Sequence, residues 1–197
     1  GGYLPSSSDI TELLHDGENL IRIVARDELD TDIPYGKQTD KRGGMWYTNI
    51  SGIWQTVWIE SVPEKYITDI KLTPDLNGVD IEIFGGDDEK TLIFEGREFK
   101  FCGNKFRLDV EDPILWTPDR PHIYRFSILS GEDKVESYFG LRTVEIKEIN
   151  GKKRICLNGK PIFMHGLLDQ GYFPDGIFLP ASEKGFEDDV CRMKECG

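Results

Sequence analysis

The sequence predicts an all-β protein of sandwich type. Three observations carry this reading. Its 21 glycines and 10 prolines punctuate the chain at short intervals, the spacing of turns in a many-stranded sandwich. Between them lie runs that alternate apolar and polar residues, such as Val79-Asp80-Ile81-Glu82-Ile83 and Phe106-Arg107-Leu108-Asp109-Val110. Period two puts the apolar set on one face, as in a half-buried antiparallel strand. Helix signals, by contrast, are few.

In chain order, Asp9-Ile10-Thr11-Glu12 before Leu13-Leu14 is a capping-box-like start, but Gly17 limits it to a single turn. The aromatic stretch Ile53-Trp54-Gln55-Thr56-Val57-Trp58-Ile59 reads as a strand just before Pro63. Trp54 and Trp58 on it are expected to pack in a sandwich core or a domain interface. Residues 63–147 hold about seven strand candidates, close to one immunoglobulin-like sandwich of about 100 residues. Within them Tyr124, Phe126 and Ile128 form the inward face of one strand, and Val144-Glu145-Ile146-Lys147 repeats the alternation. Residues 148–197 change character. Asn158-Gly159 is a type I′ hairpin signal between Ile155-Cys156-Leu157 and Pro161-Ile162-Phe163-Met164. A long loop follows, then a helix over 182–196, with Ser182 as its cap and Phe186, Val190 and Met193 on one stripe. A strand, a long loop and a helix is how a β/α unit begins.

Composition narrows the function classes. The 197 residues are 38% hydrophobic and 30% charged, enough to bury a core without disulfides. No apolar run approaches the about 20 residues of a membrane span. The opening Gly1-Gly2-Tyr3-Leu4-Pro5 has no basic region and no apolar stretch, so no signal peptide is read from it. With 24 basic against 36 acidic residues the net charge is −12. Scattered lysines and arginines on an acidic chain disfavour nucleic acid. Cys102, Cys156, Cys191 and Cys196 form no CxxC pair, and only His15, His122 and His165 could assist them, so no metal site is expected. Four unpatterned cysteines fit a reducing compartment and a cytoplasmic protein. Gly85-Gly86 lacks the helix a phosphate loop needs. Asn49-Ile50-Ser51 is read as a chance glycosylation pattern.

Four stretches then resemble a known family in order along the chain. They are Gly2-Tyr3-Leu4-Pro5 with Asp9-Ile10-Thr11 and Gly17-Glu18-Asn19 before a strand; Trp46-Tyr47-Thr48-Asn49-Ile50-Ser51-Gly52-Ile53-Trp54-Gln55-Thr56-Val57-Trp58-Ile59-Glu60; Leu115-Trp116-Thr117-Pro118-Asp119-Arg120-Pro121 with Tyr138-Phe139-Gly140-Leu141-Arg142; and Leu157-Asn158-Gly159-Lys160-Pro161 followed by Gly166-Leu167-Leu168-Asp169-Gln170-Gly171-Tyr172. Together they resemble glycoside hydrolase family 2, whose members include β-galactosidases, β-glucuronidases and β-mannosidases. The resemblance implies three parts: residues 1–62 from the end of a sugar-binding jelly roll, 63–147 as the immunoglobulin-like sandwich, and 148–197 as the start of a (β/α)₈ catalytic barrel.

The family cleaves β-glycosidic bonds with retention. One glutamic acid protonates the leaving oxygen and a second glutamate attacks the anomeric carbon, about 5–5.5 Å away. In the family both stand on later barrel strands, so both are expected beyond residue 197, and no residue here is assigned a catalytic role. The adjacent Asp188 and Asp189 read as a solvated helix face, and Asp87-Asp88-Glu89 as a turn tip. Expected substrate-binding residues are Trp46, on a glycine-rich loop, and His165, Asp169, Gln170 and Tyr172. His165 would stand at the end of the first barrel strand, where barrel active sites collect, and the other three on the loop that follows. Two departures bear on the sugar. Gly43-Gly44-Met45 stands where some relatives have an acid, with Asp40 nearest. Leu168-Asp169-Gln170-Gly171 stands where galactosidases and glucuronidases often carry a histidine-rich stretch. The resemblance implies no cofactor, a carbohydrate substrate for the full-length enzyme, and leaves a homo-oligomer open. The competing reading is a stand-alone immunoglobulin-like module for carbohydrate binding or adhesion; the barrel-start motif weighs against it.

Overall fold

The computed structural model describes residues 4–197 except Leu29, Arg42, Trp54 and Phe178. Gly2-Tyr3 and Trp54, singled out in the sequence, lie outside the described residues. The chain is mostly β and divides into two compact units, Gly1–Trp58 and Ile59–Gly197.

In the first unit, Thr11–Leu13 makes one 3₁₀ turn. Asp9 Oδ1 accepts from the Thr11 N–H at 2.9 Å and from Thr11 Oγ1 at 2.7 Å, which is why the turn starts there. Asn19 clips the next loop, donating to His15 O and accepting from the His15 N–H. Two short strands, β1 (Gln38–Thr39) and β2 (Tyr47–Thr48), pair in parallel. The strands expected after Asn19 and over 53–59 are not formed among the described residues. Alternation supplies a face, but a strand also needs a neighbour for its backbone groups, and these segments have no ladder partner. Trp58, expected to be packed, is 67% exposed.

The second unit holds two antiparallel sheets around one core. The first is β3 (Ile67–Pro74), β4 (Gly78–Gly85) and β7 (Lys105–Asp109), ordered β3-β4-β7. The other contains β5 (Glu89–Phe94), β6 (Arg97–Cys102), β8 (Tyr124–Ser130) and β9 (Asp133–Phe139), ordered β6-β5-β8-β9. Register follows the alternation: Val79 pairs with Leu108 and Ile81 with Phe106. Val79, Ile81, Ile83 and Leu108 meet Leu92, Phe94, Tyr124, Phe126, Ile128 and Phe139 in one buried cluster. Each such side chain contributes roughly 1.5–3 kcal/mol by leaving water. On the outer face Arg107 pairs with Asp75 at 2.8 Å and Asp109 at 2.9 Å.

A third sheet follows: β10 (Val144–Ile149), β11 (Lys152–Leu157) and β12 (Lys160–Pro161), each antiparallel to the next. Its turns, Asn150-Gly151 and Asn158-Gly159, have positive φ at both positions, as a type I′ turn requires. The face expected to be inward is not: Val144 and Ile146 are 68% and 71% exposed. They share a face with Leu157 and Ile155 through the pairs Val144↔Leu157 and Ile146↔Ile155. Helix α1 spans Lys184–Glu195. Ser182 does not cap it with its side chain. The helix begins two residues later, with Glu183 at the cap position, and Ser182 contributes only its carbonyl, to the Gly185 N–H.

Candidate functional site

The loop before Trp46 turns at Gly43 and Gly44, both at positive φ. The Trp46 N–H donates to Gly43 O at 3.3 Å, and β1 and β2 close beneath it. Gln38 Oε1 accepts from the Ile50 N–H at 2.7 Å, fixing the loop's exit. The indole remains 44% exposed, a flat apolar face that suits the C–H face of a pyranose. Asp40, the acid nearest this loop in the sequence, accepts from Asn49 Nδ2 at 2.8 Å.

The remaining expected site residues share one exposed segment of the second unit. The hairpin ladder runs through β12, and the Ile162 N–H still donates to Ile155 O at 2.9 Å. Beyond that the strand expected through Met164 is not formed, because the ladder past Ile162 has no partner. His165 thus follows an extended coil rather than a strand end. Its N–H donates to Phe163 O at 3.0 Å, and its ring lies 6.2 Å from that of Phe163. Asp169 Oδ1 accepts from the Gly171 N–H at 2.7 Å, an Asx turn helped by the positive φ of Gly171. Gln170 sits on this turn and is exposed. Tyr172, 41% exposed, leads into a tight loop closed by two hydrogen bonds between Phe173 and Ile177. The Phe173 ring stands edge-on to Phe186 of α1 at 5.6 Å. His165, Asp169, Gln170 and Tyr172 therefore lie along one polypeptide stretch; Trp46 belongs to the other unit.

The displaced carboxyls among the described residues all move down. Hydrogen bonding from Arg107, then from the Asn77 N–H, lowers Asp75 to about 2. Lys184 lowers Asp188, Lys134 lowers Glu136, and Thr11 lowers Asp9. Among the described residues no group of three His, Cys, Asp or Glu is placed to hold a metal ion.

Two features escaped the sequence reading. Lys90 is 5% exposed, its ammonium donating to Asp87 O and, at 3.2 Å, to Gly103 O. These groups edge a cleft of about 370 Å³ that also includes Gly86, Asp88 and Asn104. Asn158 reaches Trp116 across 42 positions of sequence. Only a buried lysine on an otherwise apolar face of β5 hinted at the first, and nothing local signals the second.

The chain is mostly β, and the segment bearing His165, Asp169, Gln170 and Tyr172 follows its last sheet. Its relatives are glycosidases. No family model matches the chain. A β-galactosidase of Pseudoalteromonas haloplanktis is 29% identical over 232 residues, covering 98% of this chain and 21% of its own length. A β-galactosidase of Photobacterium profundum is 26% identical over 227 residues, with the same coverages. A putative β-glucuronidase of Formosa agariphila is 23% identical over 192 residues, covering 84% of this chain and 22% of its own length. The chain thus spans about a fifth of the length of the curated relatives it matches. Among solved structures, Faecalibacterium prausnitzii β-glucuronidase superposes with a TM-score of 0.56 at 20% identity, over 67% of this chain and 23% of its own. Ruminococcus gnavus β-glucuronidase gives 0.54 at 24%, over 68% and 23%. At such identity these superpositions speak for the fold alone. The curated relatives carry the kinship: the chain is a relative of glycoside hydrolase family 2 enzymes over nearly its whole length.

Proposed function

We propose that the chain is the non-catalytic β-sandwich portion of a retaining, β-galactosidase-like enzyme that hydrolyses O-glycosidic bonds. In this reading residues 1–62 are the end of a jelly roll, 63–147 an immunoglobulin-like sandwich, and 148–197 the start of the catalytic barrel. The observation that carries it is the match along 98% of the chain to β-galactosidases five times as long. The three-stranded and four-stranded sheets around one core support the middle assignment, since seven strands in two sheets is the immunoglobulin-like count. A stand-alone binding or adhesion module is the less favoured reading, because β10 to α1 continue the match past the sandwich.

The division of labour follows from the chemistry. Retention needs a nucleophilic carboxylate and a protonated partner on opposite sides of the anomeric centre. Those two groups would come from later barrel strands. Residues here would orient the sugar: Trp46 by stacking, Asp169 and Gln170 by hydrogen bonds to hydroxyls, and His165 and Tyr172 by walling the pocket. The test uses the protein encoded by the uninterrupted reading frame that contains these residues. Asp169→Asn, Gln170→Ala and Tyr172→Ala should each raise KM for aryl β-galactosides. Wild-type KM in all three would overturn the site assignment.

A further inference from the structure

The turn after β11 holds more than a hairpin. Asn158 sits at φ +51 and Gly159 at φ +76, so the backbone alone closes the turn. The Asn158 side chain is therefore free for other bonds, and it makes two. Its Oδ1 accepts from the Thr143 N–H at 3.0 Å, while the Asn158 N–H donates to Thr143 O at 2.9 Å. Its Nδ2 donates to Trp116 O at 3.0 Å. Both of its partners are main-chain groups, and they come from different places: Thr143 from the link between β9 and β10, Trp116 from the loop between β7 and β8.

Trp116 is itself held. Its N–H donates to Leu141 O at 2.9 Å, and its ring lies under the Arg142 guanidinium at 4.8 Å. Gly140 lets the indole approach: a Cβ there would stand 3.3 Å from Trp116 Cδ1 and 3.4 Å from its Cβ. Leu141 is fully buried against the sandwich core. A chain of contacts thus runs from the core through Leu141, Trp116 and Asn158 to the hairpin, and the segment 160–172, which bears His165, Asp169, Gln170 and Tyr172, starts directly after that turn.

We infer that Asn158 is a positioning residue: its carboxamide latches the β10–β12 hairpin onto the sandwich and so sets where the segment 160–172 points. That the segment faces a sugar rests on the function proposed above; the latch itself does not.

Asn158→Gly is the clean variant. Glycine keeps the positive φ and the N–H bond to Thr143 O while removing both side-chain bonds. Asn158→Asp keeps an acceptor for the Thr143 N–H but sets an oxygen against the Trp116 carbonyl. Residual dipolar couplings are measured on the 197-residue chain for the sandwich (67–139) and the hairpin (144–157). In the wild type, both sets should fit one alignment tensor. In each variant the sandwich couplings should be unchanged, while the hairpin needs a separate, smaller tensor, with loss of exchange protection at the Thr143 amide. A variant that merely lost stability would lower the melting temperature and keep one tensor, and that result overturns the latch. Kinetics of Asn158→Gly in the reading-frame product then separate the two ideas. A raised KM with unchanged kcat supports the positioning role. Split tensors with wild-type KM would overturn that role and count against the sugar-facing reading, leaving the latch in place.

Discussion

Replacing Lys90 by methionine tests how the sandwich manages its one buried lysine among the described residues. Methionine keeps the length and apolar stem of lysine but donates nothing. In the folded chain the ammonium bridges Asp87 O and Gly103 O, tying the β4–β5 turn to the β6–β7 turn. The same two turns share a backbone bond from the Gly103 N–H to Asp88 O at 2.9 Å. Removing a charged donor from two carbonyls forfeits bonds worth about 1.5–3 kcal/mol each in protected surroundings. Two effects offset the loss. Methionine no longer pays for desolvating an ammonium, and water in the adjoining cleft can reach the freed carbonyls. The net expectation for Lys90→Met is a destabilisation of about 1–3 kcal/mol. For a unit of this size that is a fall in melting temperature of about 3–5 °C per kcal/mol. Urea unfolding followed by far-ultraviolet dichroism gives the number, and hydrogen exchange at Gly103 shows where the loss is felt. A variant as stable as the wild type, with Gly103 still protected, would refute the idea that this ammonium joins the turns.

Other expectations follow from the same contacts. Ile128→Ala removes a fully buried side chain from the centre of the core and should cost about 2–5 kcal/mol, read by the same denaturation; a loss below 1 kcal/mol would mean the core collapses around the gap. Asp75, held at about 2 by Arg107, is stabilising above the ordinary carboxylate pKa of about 4 and loses that contribution as pH falls from there towards about 2. The pair is half exposed, so screening keeps this to about 1 kcal/mol or less. Asp75→Asn should accordingly flatten the acid limb of a plot of stability against pH, and an unchanged limb would count against the pair.

Much of the second unit was legible because its strands carry their own instructions. The alternation of Val79, Ile81 and Ile83 against Asp80 and Glu82 needs only a sheet on one side and a core, and both are local to residues 67–139. Asn158-Gly159 was legible for the same reason: two positive-φ positions announce a type I′ turn wherever they occur. The misses share one cause. Residues 53–59 and 162–164 alternate or cluster as strands do, yet a strand exists only with a partner, and that is a property of the neighbours. The alternation at Val144 and Ile146 says that a face is apolar and not that something covers it. Of the candidate site, the grouping of His165, Asp169, Gln170 and Tyr172 is a consequence of sequence proximity. What sets their direction, Asn158 reaching Trp116, was invisible because a hydrogen bond across 42 positions leaves no local pattern.

The central claim is that this chain shapes a glycosidase without performing its chemistry. The direct measurement is release of 4-nitrophenol from β-galactoside and β-glucuronide substrates by the purified 197-residue chain, set beside the product of the whole reading frame. The proposed division of labour, with nucleophile and acid on later barrel strands, predicts no turnover above buffer by the chain alone and turnover by the longer protein. Steady hydrolysis by the chain itself, or a reading frame that ends at Gly197, would contradict it.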